Sequence, residues 1–174
     1  MEFHVAQILR EPVGYRRDFR VFERCEAEAP ASPSFPVEGQ VSLLRTDAGI
    51  LATADVTSVV DVTCSRCLVP AQLPVELHVE EEYYPTVDVV TGARLSTPKE
   101  PTPFLIDEHH ILSLCEAMRQ QLVVAEPMQP LCKDDCAGLC QVCGQDRNRG
   151  SCACASGELD ARWAALGGFL RASS

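Results

Sequence analysis

The chain has 174 residues, 46% hydrophobic and 23% charged, which suits one domain, or one domain with a small appendage, around a real apolar core. Its formal charge of −10 excludes general nucleic-acid binding through neutralised phosphates, so any RNA contact has to be local. The opening MEFHVAQILREPVGYRRDF lacks the plan of a signal peptide and no apolar run nears membrane-spanning length, so a cytoplasmic protein with reduced thiols is expected.

Residues 3–9 read as a short opening strand, broken by Glu11-Pro12-Val13-Gly14. Arg16 to Phe22 alternates loosely, with Phe19 and Val21 on one face of a second strand. Pro30 to Pro36 holds three prolines and two serines and reads as a loop. From Val37 to Cys64 the pattern is β, folded back at Arg45-Thr46-Asp47-Ala48-Gly49. Ile50, Ala52, Ala54 and Val56 alternate with Leu51, Thr53, Asp55 and Thr57. The next strand sets Leu73, Val75, Leu77, Val79 and Tyr83 against Glu76, His78, Glu80 and Glu82, as an antiparallel sheet with one wet side does. Glu81 falls on the apolar side and marks its wet edge.

Residues 86–103, with three prolines and Gly92, read as a long mobile loop. Asp107 is placed to cap a helix over about 108–125, with Ile111, Leu114, Cys115, Met118 and Leu122 as its buried stripe. Pro127 and Pro130 end it. After Cys154, residues 160–170 read as a short closing helix that turns Leu159, Trp163, Leu166 and Leu170 to the body, with Gly167-Gly168 weakening its end. The expected fold is α+β. It is a mainly antiparallel β-sheet or partly open barrel with one long helix, a Cys-rich zinc-binding segment and a short C-terminal helix. Residues 1–130 form the β-rich part, and 131–174 the Cys-rich part packed on it.

Eight of ten cysteines fall into close pairs: Cys64/Cys67, Cys132/Cys136, Cys140/Cys143 and Cys152/Cys154. Thiolates at Cys-x-x-Cys spacing point at one ion, and a glycine such as Gly144 lets the backbone bend so that amides face the sulfurs. In a reducing compartment such clusters favour metal over disulfides. Cys140, Cys143, Cys152 and Cys154 make one local set. That leaves Cys64, Cys67, Cys132 and Cys136 as a second set closing across the fold. A single site of Cys132, Cys136, Cys140 and Cys143 is the alternative, and it strands Cys64 and Cys67. Four sulfurs select zinc or an iron–sulfur cluster, and two structural zinc ions are expected. Cys25 and Cys115 read as plain thiols, Cys115 as a small core residue.

Structural zinc sites are closed, which implies no catalysis. The run Cys136-x-x-x-Cys140-x-x-Cys143 has the spacing of radical enzymes that hold an iron–sulfur cluster and S-adenosylmethionine, but no large α/β barrel surrounds it. A thiol-redox centre at Cys64-Ser-Arg-Cys67, with Arg66 lowering a thiol pKa, lacks thioredoxin-like βαβ flanks. His109-His110 reads as a solvated helix start. A zinc-ribbon transcription module would need a basic surface, whereas residues 132–154 balance Lys133, Arg147 and Arg149 against Asp134, Asp135 and Asp146. No phosphate loop, nucleophile elbow or acid/base pair is present, so the protein is not expected to be an enzyme.

The run from Pro130 through Cys132, Cys136, Cys140, Cys143 and Asn148 to Cys152 and Cys154 resembles the C-terminal signature of the YceD family, the large ribosomal RNA subunit accumulation proteins. Val62-Thr-Cys64-Ser-Arg-Cys67-Leu68, the opening Ile8-Leu9-Arg10-Glu11-Pro12-Val13-Gly14 and the closing Asp160-Ala-Arg-Trp-Ala-Ala-Leu166 resemble it too. The resemblance implies a cytoplasmic, non-enzymatic role in accumulation or processing of large-subunit 23S ribosomal RNA, hence in ribosome biogenesis. Expected partners are a ribosomal protein, an assembly factor or precursor RNA, with no membrane and no small-molecule substrate. The acidic strip 76–82 would receive a basic ribosomal protein, and the Arg10–Arg24 cluster would touch phosphate. The competing class is a zinc-dependent thiol-redox or metal-handling protein.

Overall fold

The computed structural model describes residues 1–26, 34–96 and 104–154. In chain order it has β1 (Glu2–His4), α1 (Ala6–Arg10), β2 (Arg16–Cys25), β3 (Phe35–Arg45), β4 (Ile50–Thr63), β5 (Pro70–Pro85), β6 (Phe104–Ile106), β7 (Ile111–Ser113) and α2 (Cys115–Ala125). One five-stranded sheet runs β2-β3-β4-β5-β6 and stays open, without barrel closure. Its pairings are antiparallel except the last, where β6 lies parallel to β5. A separate ribbon pairs β1 with β7, setting Glu2 opposite Ser113 and His4 opposite Ile111.

Alternation written in β3, β4 and β5 is obeyed in burial. Val37, Val41, Leu43, Ile50, Ala52, Ala54, Val56, Leu77, Val79 and Tyr83 are buried, while Asp55, Thr57, Glu76, His78 and Glu80 on the other face are exposed. Ile8 and Leu9 of α1, Leu112 of β7 and Leu114, Cys115, Ala117 and Met118 at the start of α2 complete that core. Deep in β4 the pattern admits one polar residue, Ser58, whose hydroxyl donates to the Pro36 carbonyl at 2.7 Å. A paired hydroxyl is tolerated there, because a buried polar group is costly only when unmatched.

Several elements differ from the sequence expectation. Only Glu2–His4 of the opening segment is strand, and Ala6–Arg10 turns into a helix that buries Ile8 and Leu9. The loop expected over 30–36 ends earlier, since Phe35 and Pro36 already belong to β3 and pair with Cys25 and Arg24; residues 30–33 of it lie outside the described residues. Pro36 sits near the start of its strand, where a missing donor matters least.

The helix expected over 108–125 is the largest correction. Asp107 does cap, but it caps a turn: its Oδ1 accepts from the amides of His109 at 2.9 Å and Ile111 at 2.7 Å. His110 takes a left-handed φ of 61°, and its carbonyl accepts the Val5 amide at 2.9 Å. Ile111–Ser113 is thereby pulled out as β7 against β1, and the helix begins only at Cys115. Pairing with a distant strand has overridden a helical period. The stripe survives in Leu114, Cys115 and Met118, which are buried, and Leu122, which is partly so. Cys25 and Cys115, expected as plain thiols, form a disulfide with Cα atoms 5.2 Å apart across a sequence separation of 90. It ties the end of β2 to the first turn of α2, a spacing normal for such bonds. The closing helix expected over 160–170 lies outside the described residues.

Among the described residues no helix is long and apolar enough to cross a membrane.

Candidate metal centres

β4 and β5 are joined by Cys64-Ser-Arg-Cys67-Leu-Val69, and this turn is tightly specified. The Leu68 amide donates to the Cys64 carbonyl at 2.9 Å, and the Cys64 amide to the Val69 carbonyl at 2.9 Å. Leu68 sits at φ 60° to close it. The chain after α2 is delivered onto the turn by Pro130, whose carbonyl accepts the Ser65 amide at 2.8 Å and its hydroxyl at 3.1 Å. Cys132 and Cys136 follow at once. Their sulfurs meet those of the turn, Cys64 to Cys136 at 3.8 Å and Cys67 to Cys132 at 3.6 Å.

All four sulfurs lie within 4.8 Å of one another. A tetrahedron with Zn–S bonds of about 2.3 Å has sulfur–sulfur edges of about 3.8 Å, so the cluster has the size such an ion needs. Cys64, Cys67 and Cys136 are buried, under a lid of Val69, Leu131 and Leu139. The donor set is closed, leaving no water position in a four-sulfur site.

The second set repeats the first turn. Gly144 donates to the Cys140 carbonyl at 2.9 Å, and the Cys140 amide to the Gln145 carbonyl at 2.8 Å. Gly144 holds φ 73°, the left-handed region where glycine is unstrained. Cys152 and Cys154 return to this turn, and the four sulfurs again lie within 4.8 Å of one another. Cys143 is exposed and the other three are half-buried. The structure thus gathers the eight sulfurs into the two sets expected from spacing. It does not bring Cys132, Cys136, Cys140 and Cys143 together as one.

Electrostatics within each set are uneven. The Cys67 amide, with those of Cys132 and Arg66, holds the Cys64 thiol down to about 6 against burial. Amides of Cys143 and Val142 bring Cys140 to about 6 as well. Cys132 is pushed up to about 12 by burial and by the sulfurs of Cys67 and Cys136. Cys154 is pushed up to about 12 by Cys143 and burial. Four sulfurs this close ionise together only around a cation, which is what a divalent ion supplies.

Arg66 does not act on a thiol through its guanidinium. Its Nη1 donates to the Cys136 carbonyl at 3.0 Å, and its own carbonyl accepts the Leu139 amide at 3.1 Å. Gly138 passes so close that a Cβ there would sit 3.1 Å from the Arg66 carbonyl oxygen, at φ 69°. This residue therefore seams the β4–β5 turn to the 132–154 segment.

Asn148 carries a role that the cysteine spacing did not reveal. From the loop of the second set, its Oδ1 accepts the Ala137 amide at 2.9 Å and its Nδ2 reaches the Cys136 sulfur at 3.4 Å. That amide lowers the Cys136 thiol against the opposing effect of burial. Its short polar side chain, after an Asp two residues earlier, was the available signal: Asp146 Oδ1 accepts from the Asn148 amide at 2.9 Å.

Remaining candidates stay apart from the sulfurs. His109 and His110 lie in the Asp107 turn rather than on a helix. Glu76, His78, Glu80 and Glu82 point outward on β5, and His78 is raised by its hydrogen bond to Asp55 at 2.7 Å.

Residues 52–170 match the family model described as large ribosomal RNA subunit accumulation protein YceD. No curated protein matches the chain, and no solved structure does.

Proposed function

The chain belongs to the YceD family, whose name ties it to accumulation of large-subunit ribosomal RNA, and from that premise we propose that it is a non-enzymatic factor in ribosome biogenesis. In this reading it supports accumulation or processing of 23S ribosomal RNA in the cytoplasm by holding a ribosomal protein, an assembly factor or precursor RNA on an immature large subunit. Two zinc ions hold it rigid, one on Cys64, Cys67, Cys132 and Cys136 and one on Cys140, Cys143, Cys152 and Cys154. Residues 1–130 then supply the binding body, and 131–174 the clip that stiffens it.

The observation that carries the reading is the family match itself, which spans both Cys-x-x-Cys turns and everything between them. Ion-clipped sheets without an open coordination position suit binding rather than chemistry. The outward acids of β5 offer a basic ribosomal protein a complementary strip. The test is affinity purification of the tagged protein from cells at moderate salt. Large-subunit proteins or 23S precursors are expected to co-purify, and their absence overturns the ribosomal reading.

One observation favours a second reading, a zinc-dependent thiol-redox or metal-handling protein. The Cys140 thiol is lowered to about 6 and its partner Cys143 is exposed. Native-state alkylation separates the two. Structural zinc sites resist until a chelator or denaturant is added, whereas a redox dithiol reacts at once.

A further inference from the structure

We propose that the outward stripe of β2, formed by Arg16, Arg20, Phe22 and Arg24, binds a short length of single-stranded RNA. The proposal rests on the ribosomal reading for its setting and on the geometry of one strand for its chemistry.

Among the described residues β2 is an edge strand, paired with β3 alone. Its inward residues Phe19, Val21 and Cys25 face the core, and its outward residues from Arg16 to Arg24 are all exposed. Outward neighbours stand ~6.7 Å apart along a strand, so the stripe runs for roughly 27 Å. Phe22 is 82% exposed, an aromatic ring lying open between Arg20 and Arg24 on the same face. Lone exposed apolar residues are ordinary on protein surfaces. An aromatic ring flanked on both sides by guanidinium groups is a different arrangement. The ring offers a face for a base, and each guanidinium offers a fork for the phosphate on either side.

Charge complementarity points the same way. Arg20 has no hydrogen bond or ion pair among the described residues. Arg16 is held by Asp18 at 3.0 Å, an exposed pair that a phosphate can replace at little cost. Arg24 gives Nε and Nη2 to Ser34 and keeps its remaining donors. Asp18 lies within the stripe, between Arg16 and Arg20, and Glu38 stands directly opposite Phe22 on β3; three arginines against these two acids leave the face at a net charge of +1. Asp55, Glu76, Glu80 and Glu82 lie on β4 and β5, roughly 10–14 Å away across the sheet. That is beyond the ~8 Å screening length at physiological salt, so they do not cancel the stripe but keep a polyanion from spreading over the sheet. At the Arg24 end a cavity of about 500 Å³, lined also by Val60, Asp61, Arg119, Leu122 and Glu126, has room for one unstacked base, but its two arginines and two acids cancel, so it adds space and no net attraction for phosphate. A duplex, whose bases are stacked away inside it, has nothing to lay on Phe22.

The experiment is fluorescence anisotropy of a labelled mixed-sequence RNA of about 12 nucleotides, titrated with the full zinc-loaded chain from about 50 mM salt upward. Phe22→Ala is expected to weaken binding about tenfold, and Arg20→Gln to lower the salt slope by about 0.7. Arg17→Gln, which removes the cation stacked over Phe19 on the other side of the same strand, leaves binding unchanged. The same RNA as a duplex binds more weakly. The proposal is overturned if the wild type does not bind, if Phe22→Ala binds as well as wild type, or if polyglutamate or duplex competes as well as the single strand. Purification from cells keeps the two readings apart. Phe22→Ala that still brings down large-subunit precursors as wild type does removes the stripe and leaves the ribosomal reading standing. A wild type that brings down none removes the ribosomal reading.

Discussion

Leu68 and Gly144 hold the same place in two turns of one hydrogen-bond plan. Each follows a Cys-x-x-Cys, each donates its amide to the carbonyl of the first cysteine at 2.9 Å, and each is left-handed, at φ 60° and 73°. One turn has the residue this backbone favours and the other does not. A leucine in that region is strained by ~1–2 kcal/mol.

Leu68→Gly is therefore expected to stabilise the metal-loaded protein. Leu68 is 63% exposed, so little packing is lost. The added freedom of the unfolded chain takes back part of the relief, leaving a net gain of about 0.5–1 kcal/mol. Gly144→Ala should move the other way by about 1 kcal/mol. Urea unfolding of both variants checks the pair, and a destabilised Leu68→Gly would show that the side chain holds something the turn needs.

Metal content should follow the two sulfur sets separately. Elemental analysis of the purified chain is expected to give two zinc per chain. Cys143→Ser should empty only the second set. Cys64→Ser should empty the first, because among the described residues its remaining sulfurs gather with no fifth ligand group. Asn148→Ala removes the amide on the Cys136 sulfur and should weaken the first site by about 10–100-fold in a competition with a chromogenic chelator. A normally folded, metal-free protein in reducing buffer would refute both sites.

How far the sequence revealed this arrangement depended on how local each signal was. The hairpin of β3 and β4 and the long β5 were plain, because period-two alternation is written along each strand and satisfied by its immediate neighbours. The set of Cys140, Cys143, Cys152 and Cys154 was legible for the same reason, being local, whereas the set of Cys64, Cys67, Cys132 and Cys136 followed only by elimination, because its pairs meet across the fold. Residues 108–114 were not, since their fate depends on β1, more than a hundred positions away, and Ile111 to Met118 carries apolar residues at helical spacing regardless. Cys25 and Cys115 were invisible as a couple because nothing near either names the other.

Breaking that couple should be costly. A bond closing a loop of about 90 residues restrains the unfolded chain by ~4–5 kcal/mol on the chain-entropy account, and measured effects run at about 2–4 kcal/mol. Cys25→Ser is expected to lower the urea-unfolding free energy by that amount while leaving two zinc bound. Equal stability of wild type and variant under oxidising conditions would mean the bond does not form in solution.

Acid should erase one side-chain clasp on α2. Arg119 holds Glu116 through Nε at 2.9 Å and Nη2 at 2.7 Å, with Gln120 adding a bond at 3.0 Å. Arg119 foremost brings the carboxyl from its ordinary 4.5 down to about 2. A lowered folded value gives stability that is complete above 4.5 and lost as pH falls from there toward 2. Both side chains are partly exposed, at 41% and 32%, so solvent screening limits the contribution to about 0.5 kcal/mol. Glu116→Gln should thus be less stable than wild type by that amount at pH 7, with the gap closing below pH 4.5. A gap that persists unchanged into acid would assign the loss to packing instead.

Asn148 makes the order of damage a property of the fold. Cys143 is the exposed one of the eight paired cysteines, so an oxidant should reach it first, and its oxidation should loosen the outer loop. That loop carries the amide resting on Cys136, so the inner sulfurs are uncovered only afterwards. With zinc in both sets, the outer one should therefore be lost first, as a sacrificial cover, and the join between sheet and tail last.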